Sequence, residues 1–230
     1  MISDFGRKLF AAPLASLVPL LQKIGVTPNG LTVIGFLLTI AAALFLAAGS
    51  FLIGGLILLI AALFDMLDGS LARATGQSTK FGAFFDSSID RYSESVILVA
   101  LIYYYSAASS RPLEPVLLAI TLVGSLMVSY TRARAEALGV ECKVGLLQRP
   151  ERVILLIVGL LAGSIWPIIM TIILSLLAIL TNVTALQRIY EVHRLIGDEP
   201  LDSTDSAPAK PIPAANSSGT SSDSDQNLAP

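Results

Sequence analysis

The stretch DMLDGSLARATGQSTKFGAFFDSSID, residues 65–90, places four aspartates between two apolar segments. Asp65 is the first charged residue after Lys23, and Asp90 leads into an uncharged segment that begins at Ser95. Acidic residues at the edge of a membrane are costly unless their charge is balanced. The stretch therefore bears both on how the chain crosses a membrane and on the chemistry that it performs there.

The composition is that of an integral membrane protein. Of the 230 residues, 54% are hydrophobic and only 14% are charged, and the mean hydropathy is +0.75. Charged residues are absent from the 41 positions between Lys23 and Asp65 and from the 35 positions between Arg152 and Arg188. Because about 20 helical residues span a hydrocarbon core of roughly 30 Å, each of these runs predicts two crossings.

Two shorter uncharged runs, Ser95–Ser110 and Pro115–Thr131, predict one crossing each. The predicted fold is therefore all-α, with six transmembrane helices near residues 30–49, 51–69, 81–106, 113–135, 150–164 and 166–189. Residues 1–29 are basic and amphipathic, and predict an N-terminal interfacial helix. Residues 30–190 then form the membrane domain. Residues 191–230, rich in Ser, Pro, Asp and Ala, are predicted to be a disordered tail.

The basic residues predict the orientation. With six crossings, twelve Lys and Arg residues lie on or beside one face, and only Arg111 lies clearly on the other. The twelve are Arg7, Lys8, Lys23, Arg73, Lys80, Arg132, Arg134, Lys143, Arg149, Arg152, Arg188 and Arg194. The positive-inside rule makes the crowded face cytoplasmic. We therefore expect a multi-pass protein of the cell membrane with both termini in the cytoplasm.

The spacing of the four aspartates brings their side chains together. Asp65 and Asp68 are three residues apart, and Asp86 and Asp90 are four apart, so each pair shares one face of a helix. The linker at residues 74–80 is short enough to hold the two helix ends close to each other. All four carboxylates are then predicted to face one cavity at the cytoplasmic side.

Four carboxylates in one cavity need cationic partners. Arg73 and Lys80 are too few, whereas two divalent cations would balance the charge, and hard oxygen ligands suit Mg²⁺ or Mn²⁺. Zinc is disfavoured, because neither Cys142 nor His193 belongs to the cluster. Gly69 and its counterpart at residue 82 would let a bulky group approach the backbone. The alternative is that the aspartates are ordinary helix-end acids paired with arginines of the loops.

Written as D-x2-DG-x2-AR-x8-G-x3-D-x3-D, the stretch resembles the signature of the CDP-alcohol phosphotransferase family at every fixed position. The fixed residues are Asp65, Asp68, Gly69, Ala72, Arg73, Gly82, Asp86 and Asp90. The segment VTPNGLTVIG, residues 26–35, is also similar to the family. The resemblance implies a six-helix membrane enzyme, usually a homodimer, that transfers a phosphatidyl or substituted phosphoryl group from a CDP-linked donor to an alcohol and releases CMP.

The same resemblance implies roles for individual residues. It assigns two metal ions to Asp65, Asp68, Asp86 and Asp90, and the nucleotide to Asp68, Gly69, Arg73 and Gly82. It makes Asp90 the favoured general base. A carboxylate one helical turn beyond the metal ligand Asp86 is suited to take a proton from an acceptor hydroxyl.

Four arginines point to a phosphorylated acceptor. Arg132 and Arg134 end the predicted fourth helix, and Arg149 and Arg152 begin the fifth, where Pro150 is well tolerated. A helix N-terminus already favours an anion, and guanidinium groups suit a phosphate monoester better than a zwitterion. The positive-inside rule by itself is the alternative explanation for these arginines.

Within the family, residues 78–91 look most like the bacterial phosphatidylinositol phosphate synthases. That likeness implies CDP-diacylglycerol as donor, inositol 1-phosphate as acceptor, and no nucleic-acid partner. It builds the acceptor pocket from Ser129, Arg132, Arg134, Arg149, Arg152 and Arg188. A phosphatidylglycerophosphate synthase, with glycerol 3-phosphate as acceptor, and a divalent-cation transporter are the alternatives. Glu94 continues the face of Asp90, and either lines the cavity or pairs with an arginine.

Overall fold

The described residues fold into six α-helices and contain no strand. A computed structural model describes residues 25–107, 111–142 and 144–197, together with Pro19 and Lys23. The helices are α1 (Pro28–Ala47), α2 (Phe51–Thr75), α3 (Lys80–Ala107), α4 (Leu113–Ala137), α5 (Arg149–Gly163) and α6 (Pro167–Ile196). Most of the predicted N-terminal interfacial segment (1–29), Lys143, and residues 198–230 of the predicted tail (191–230) lie outside the described residues. Residues 191–196, which were predicted to belong to the disordered tail, are helical and form the end of α6.

Most predicted helix ends agree with the structure to within two residues, but α2 and α6 are longer. Helix α2 ends at Thr75 instead of residue 69, because it continues through a polar turn until Gly76, whose φ of 67° stops the helix. Helix α6 ends at Ile196 instead of residue 189. Apolar composition underestimated the length of both helices, since their last turns are polar. The predicted domain boundary at residue 190 therefore falls inside α6.

The structure is that of an all-α membrane protein. Helices α1, α2, α4 and α6 are each long and apolar enough to cross a bilayer. Helix α3 carries four charged residues in its first half, and α5 has only 15 residues. The all-α membrane fold is therefore confirmed, whereas the crossing of the membrane by α3 and α5 stays a prediction.

The helices pack around one apolar core. Helix α1 packs on α2 and α3, α4 packs on α3 and α6, and α5 packs on α2 and α6. Buried core side chains come from all six helices and include Leu46, Leu58, Leu98, Leu118, Leu160 and Leu174. Many large apolar side chains point outward instead, such as Leu37 and Ile172. An apolar outer surface is what a lipid environment requires.

Small residues allow two of the helices to approach each other closely. Gly124 of α4 faces α6, and a Cβ atom there would lie 2.3 Å from Oγ1 of Thr181. Beside it, Asn182 donates a hydrogen bond from Nδ2 to the carbonyl of Ile120 at 3.2 Å. Small residues at such crossings permit close packing, which replaces the hydrophobic drive that is missing between helices in lipid.

We expect Gly124→Ala to destabilise the folded protein by about 1–3 kcal/mol, because the added methyl group overlaps Thr181. Gly35→Ala is the matched control, since the nearest atoms to a Cβ at that buried helical glycine lie 3.6 Å away. Thermal unfolding in detergent micelles measures the difference. Equal midpoints for the two variants would contradict the close crossing.

Candidate active site

Three of the four aspartates form a compact group of carboxylates. Asp65 and Asp68 lie near the end of α2 and Asp86 lies near the start of α3, and one oxygen of each lies within 4.8 Å of the other two. Asp68 is buried, with only 5% of its surface exposed. The turn between α2 and α3 reverses the chain in four residues, which brings the two helix ends together as predicted.

A threonine from α1 completes the surroundings of Asp68. The hydroxyl of Thr32 donates a hydrogen bond to Oδ2 of Asp68 at 2.6 Å, and both groups are buried. This contact leaves Oδ1 of Asp68 for another partner and holds the carboxylate in one orientation. Thr32 was not among the predicted site residues, although it lies within the segment at residues 26–35 that resembles the family.

The three carboxylates fit a divalent cation. Their oxygen atoms are hard ligands, their mutual separation suits binding to a common ion, and neither histidine nor cysteine belongs to the group. The hydrogen bond from Thr32 supports a ligand carboxylate as outer-shell partners commonly do. This group is therefore a candidate site for Mg²⁺ or Mn²⁺.

Asp90 lies beside this group and contacts an arginine. Nη2 of Arg149 lies 2.7 Å from Oδ1 of Asp90. The same guanidinium donates two hydrogen bonds to Asp65, at 2.9 and 3.2 Å. Arg149 therefore bridges two of the four aspartates. The sequence suggested Arg73, Lys80 or unspecified arginines of the loops as cationic partners of the carboxylates, but it did not indicate Arg149 in particular, because 84 residues separate Arg149 from Asp65.

A cavity of about 180 Å³ opens next to the carboxylates. It is lined by the start of α1, the last turns of α2, the turn after α2 and the start of α3. The four residues predicted to hold the nucleotide all line it, and they are Asp68, Gly69, Arg73 and Gly82. A Cβ atom at Gly82 would come within 3.0 Å of the Thr79 hydroxyl. The small size of this residue keeps the cavity open.

Two arginines predicted for the acceptor pocket are buried. Arg152 donates from Nε and Nη2 to the two carboxylate oxygens of Glu94, at 2.7 and 2.9 Å. Arg188 donates to the carbonyl of Val144 at 2.9 Å and to that of Val128 at 2.5 Å. Of the two possibilities for Glu94, the structure shows pairing with an arginine.

The other residues predicted for the acceptor lie around the end of α4. Ser129 is half-buried, and it follows the residue whose carbonyl Arg188 contacts. Arg132 and Arg134 are exposed, and Nε of Arg132 pairs with Glu136 at 2.8 Å. The structure therefore brings Arg149 directly onto the carboxylates, whereas it places Arg132 and Arg134 on the surface.

The sequence model of the CDP-alcohol phosphatidyltransferase family matches residues 25–187. This chain belongs to that family. The archaetidylinositol phosphate synthase of Pyrococcus horikoshii is 39% identical over 183 residues, which cover 79% of this chain and 92% of the relative. The phosphatidylinositol phosphate synthase of Mycobacterium marinum is 36% identical over 191 residues, which cover 81% of this chain and 82% of the relative.

Solved structures show the same fold. The crystal structure of Mycobacterium tuberculosis phosphatidylinositol phosphate synthase with CDP-DAG bound is 33% identical, with a TM-score of 0.73, and the match covers 78% of this chain and 93% of that one. A second structure of that enzyme, in complex with manganese and citrate, also gives a TM-score of 0.73 and covers 78% and 88%.

These comparisons confirm the family resemblance. The chain is a CDP-alcohol phosphotransferase, a membrane enzyme of phospholipid biosynthesis. The assignment favours an enzyme over the divalent-cation transporter that the sequence left open. The group of three carboxylates is accordingly a candidate divalent-metal site in an enzyme of this family.

We expect Thr32→Val to weaken divalent-metal binding, because Asp68 loses the hydrogen bond that orients it. The concentration of Mn²⁺ that half-saturates the purified protein should rise about tenfold. Electron paramagnetic resonance of free Mn²⁺ measures this directly. Thr39→Val is the matched control on the same helix, since the Thr39 hydroxyl donates only within α1, to the carbonyl of Gly35 at 2.9 Å. An unchanged affinity in Thr32→Val would refute this role.

Proposed function

We propose that the enzyme transfers the phosphatidyl group of CDP-diacylglycerol to inositol 1-phosphate, forming phosphatidylinositol phosphate and CMP. The contact of Arg149 with Asp65 and Asp90 carries the proposal, because it places a cation suited to a phosphate monoester at the edge of the metal site. The names of the curated relatives support the choice of inositol phosphate, since the archaeal and the mycobacterial enzymes are both named for it.

The donor is assigned to the cavity beside Asp68. Gly69 and Gly82 leave room for the nucleotide and its diphosphate, and Arg73 supplies a positive charge at its exposed side. The match to the mycobacterial enzyme with bound CDP-DAG supports a donor of this type. The acyl chains can stay in the bilayer while the headgroup reaches the carboxylates at its surface.

The metal ligands are assigned to the four aspartates. In this proposal Asp65, Asp68, Asp86 and Asp90 hold two ions of Mg²⁺ or Mn²⁺ per active site. The manganese-bound structure of the mycobacterial relative supports a divalent metal. Bound metal ions would neutralise charge on the donor's diphosphate and orient it for in-line displacement.

Asp90 is assigned the role of general base. Its carboxylate accepts the proton of the attacking inositol hydroxyl as the new oxygen–phosphorus bond forms. The bond from the same phosphorus to the CMP oxygen breaks, and CMP leaves. Arg149 holds Asp90 in place from one side, and the side chain of Asp90 remains 14% exposed, so that a substrate hydroxyl can reach it.

The phosphate of the acceptor is assigned to the arginines. Arg149 is proposed as the central contact, because it is the first residue of α5 and its guanidinium reaches Asp65 and Asp90. Around it the predicted pocket extends over Ser129, Arg132, Arg134, Arg152 and Arg188. The exposed guanidinium groups of Arg132 and Arg134 provide positive charge through which an anionic acceptor approaches.

The remaining features of the proposal concern the whole molecule. All six helices are proposed to cross the cell membrane, with the active site and both termini facing the cytoplasm. The excess of Lys and Arg at the active-site end supports this orientation. A homodimer is proposed from the resemblance to the family.

Acceptor choice is the first experiment. Purified enzyme with CDP-diacylglycerol and Mg²⁺ should release CMP with inositol 1-phosphate, and not with myo-inositol, serine or glycerol 3-phosphate. The absence of release with myo-inositol follows from the role of the acceptor's phosphate. Release with glycerol 3-phosphate alone would replace the proposal with a phosphatidylglycerophosphate synthase, whose acceptor is also a phosphate monoester.

We expect Asp90→Asn to lower kcat by about 10²–10⁴-fold, because an amide cannot take the proton from the acceptor hydroxyl. Ser88→Ala is the control on the same helix, since the Ser88 hydroxyl donates only to the carbonyl of Phe84, at 2.9 Å. The rate of CMP release measures both variants. An Asp90→Asn enzyme that kept more than about a tenth of the wild-type rate would be inconsistent with a general base at this position.

A further inference from the structure

Glu94 is a buried carboxylate that lies outside the family signature and has no role in the function proposed above. It follows Asp90 by one helical turn on α3, and 11% of its side chain is exposed. Its oxygens accept two hydrogen bonds from Arg152, at 2.7 and 2.9 Å, and one from the hydroxyl of Ser125, at 2.9 Å. One side chain therefore joins α3, α4 and α5.

Two ion pairs, one helical turn apart, connect α3 and α5. Asp90 and Glu94 are four residues apart on α3, and Arg149 and Arg152 are three residues apart on α5. The first acid pairs with the first arginine and the second acid pairs with the second. We call Glu94–Arg152, the less exposed of the two, the inner pair and Asp90–Arg149 the outer pair. Because each pair is one helical turn from the other, a shift of α5 that broke the inner pair would also displace the outer pair.

The inner pair is the more firmly held. Arg152 is only 3% exposed, and two of its guanidinium nitrogens contact Glu94 in parallel. Such a paired and buried guanidinium is held in place, since removing either partner leaves an uncompensated charge inside the bundle. Arg149, in contrast, is 28% exposed beside Asp65 and Asp90. The buried pair thus anchors the helix turn that carries the exposed arginine.

The chain that leads into α5 is held as well. The backbone N–H of Leu147 donates to the Thr184 hydroxyl at 3.1 Å, and that of Gln148 donates to the Glu151 carboxylate at 2.6 Å. These contacts tie the start of α5 to α6 and to itself. Two side chains of α3 contact this start among the residues described: Asp90 contacts Arg149, and Glu94 holds the more deeply buried Arg152.

We propose that Glu94 is a positioning residue for the acceptor, which acts by fixing Arg152 and thereby setting the place of Arg149 at the metal site. This inference rests on the proposed use of a phosphate-bearing acceptor. The donor cavity is lined only by residues between Pro28 and Asp86, and none comes from α4 or α5. Glu94 therefore affects the acceptor and not the donor.

The bundle offers a matched control in Glu114. This glutamate is also buried, with 5% exposure, accepts a hydrogen bond from the Thr171 hydroxyl at 2.9 Å, and pairs with Arg111 at 3.4 Å. It lies in the first turn of α4, at the end of that helix opposite Arg132 and Arg134. Glu114→Gln therefore perturbs a buried glutamate that pairs with an arginine, far from the arginines of the acceptor.

The test compares purified Glu94→Gln, Glu114→Gln and wild-type enzyme in mixed micelles. In Glu94→Gln we expect the KM for inositol 1-phosphate to rise about tenfold through misplacement of Arg149, with the KM for CDP-diacylglycerol unchanged within about twofold. In Glu114→Gln both KM values should stay at the wild-type level, even if the thermal midpoint falls. Glu94→Asp, which keeps the charge, should recover part of the loss.

Two results would overturn the inference. The first is an unchanged KM for inositol 1-phosphate in folded Glu94→Gln. The second is that Glu94→Gln and Glu114→Gln change the KM for the acceptor and the KM for the donor by the same factors. If Glu94→Gln does not fold, Ser125→Ala tests the inference in its place, because it removes only one hydrogen bond to Glu94. We expect it to raise the acceptor KM about two- to threefold, and an unchanged acceptor KM would overturn the inference.

The acceptor preference of the wild-type enzyme tests the proposed function separately. If glycerol 3-phosphate is the acceptor, the same comparison of variants is made with that substrate. A wild-type enzyme that uses only an acceptor without a phosphate group would overturn the inference together with the proposed function.

Discussion

The structure depends on the need to balance several carboxylates at one end of a bundle of apolar helices. Asp65, Asp68 and Asp86 bring three negative charges to within a few ångströms of one another, and lipid offers them neither water nor counter-ions. The short turn between α2 and α3 creates this concentration of charge, and it persists only because cations and donors surround it. The hydroxyl of Thr32 and the guanidinium of Arg149 meet part of that need, and the proposed divalent metal would meet the rest.

Two sides of the site follow from this arrangement. Helices α1, α2 and the start of α3 enclose the cavity proposed for the donor, whereas α5 brings Arg149 onto the carboxylates. In the proposed function, the carboxylates of α3 therefore stand between a nucleotide-binding side and an anion-binding side. Transfer of a charged group between two anionic substrates requires such a division, because each substrate needs its own cations and both must meet at one phosphorus atom.

Polar contacts inside the bundle fix the positions of the helices more than they stabilise the fold. The pairs Glu94–Arg152 and Glu114–Arg111 each combine a buried glutamate with an arginine and a hydroxyl. Buried ion pairs add little net stability over apolar packing, but they fix one arrangement of the helices. Close packing at Gly124 contributes in a similar way, because it lets α4 and α6 approach at a distance that larger residues would prevent.

The sequence by itself determined the helices, the membrane setting and the group of aspartates, since these depend on local composition and on spacing within a helix. Helix ends in polar turns, as in α2 and α6, were placed too early because apolar composition does not mark them. Only the tertiary structure decided which cation meets which carboxylate. Thr32 lies 36 residues from Asp68, Arg152 lies 58 from Glu94, and Arg149 lies 84 from Asp65, so spacing along the chain carries no sign of these pairs. Helix packing brings them together, and burial makes the pairing obligatory.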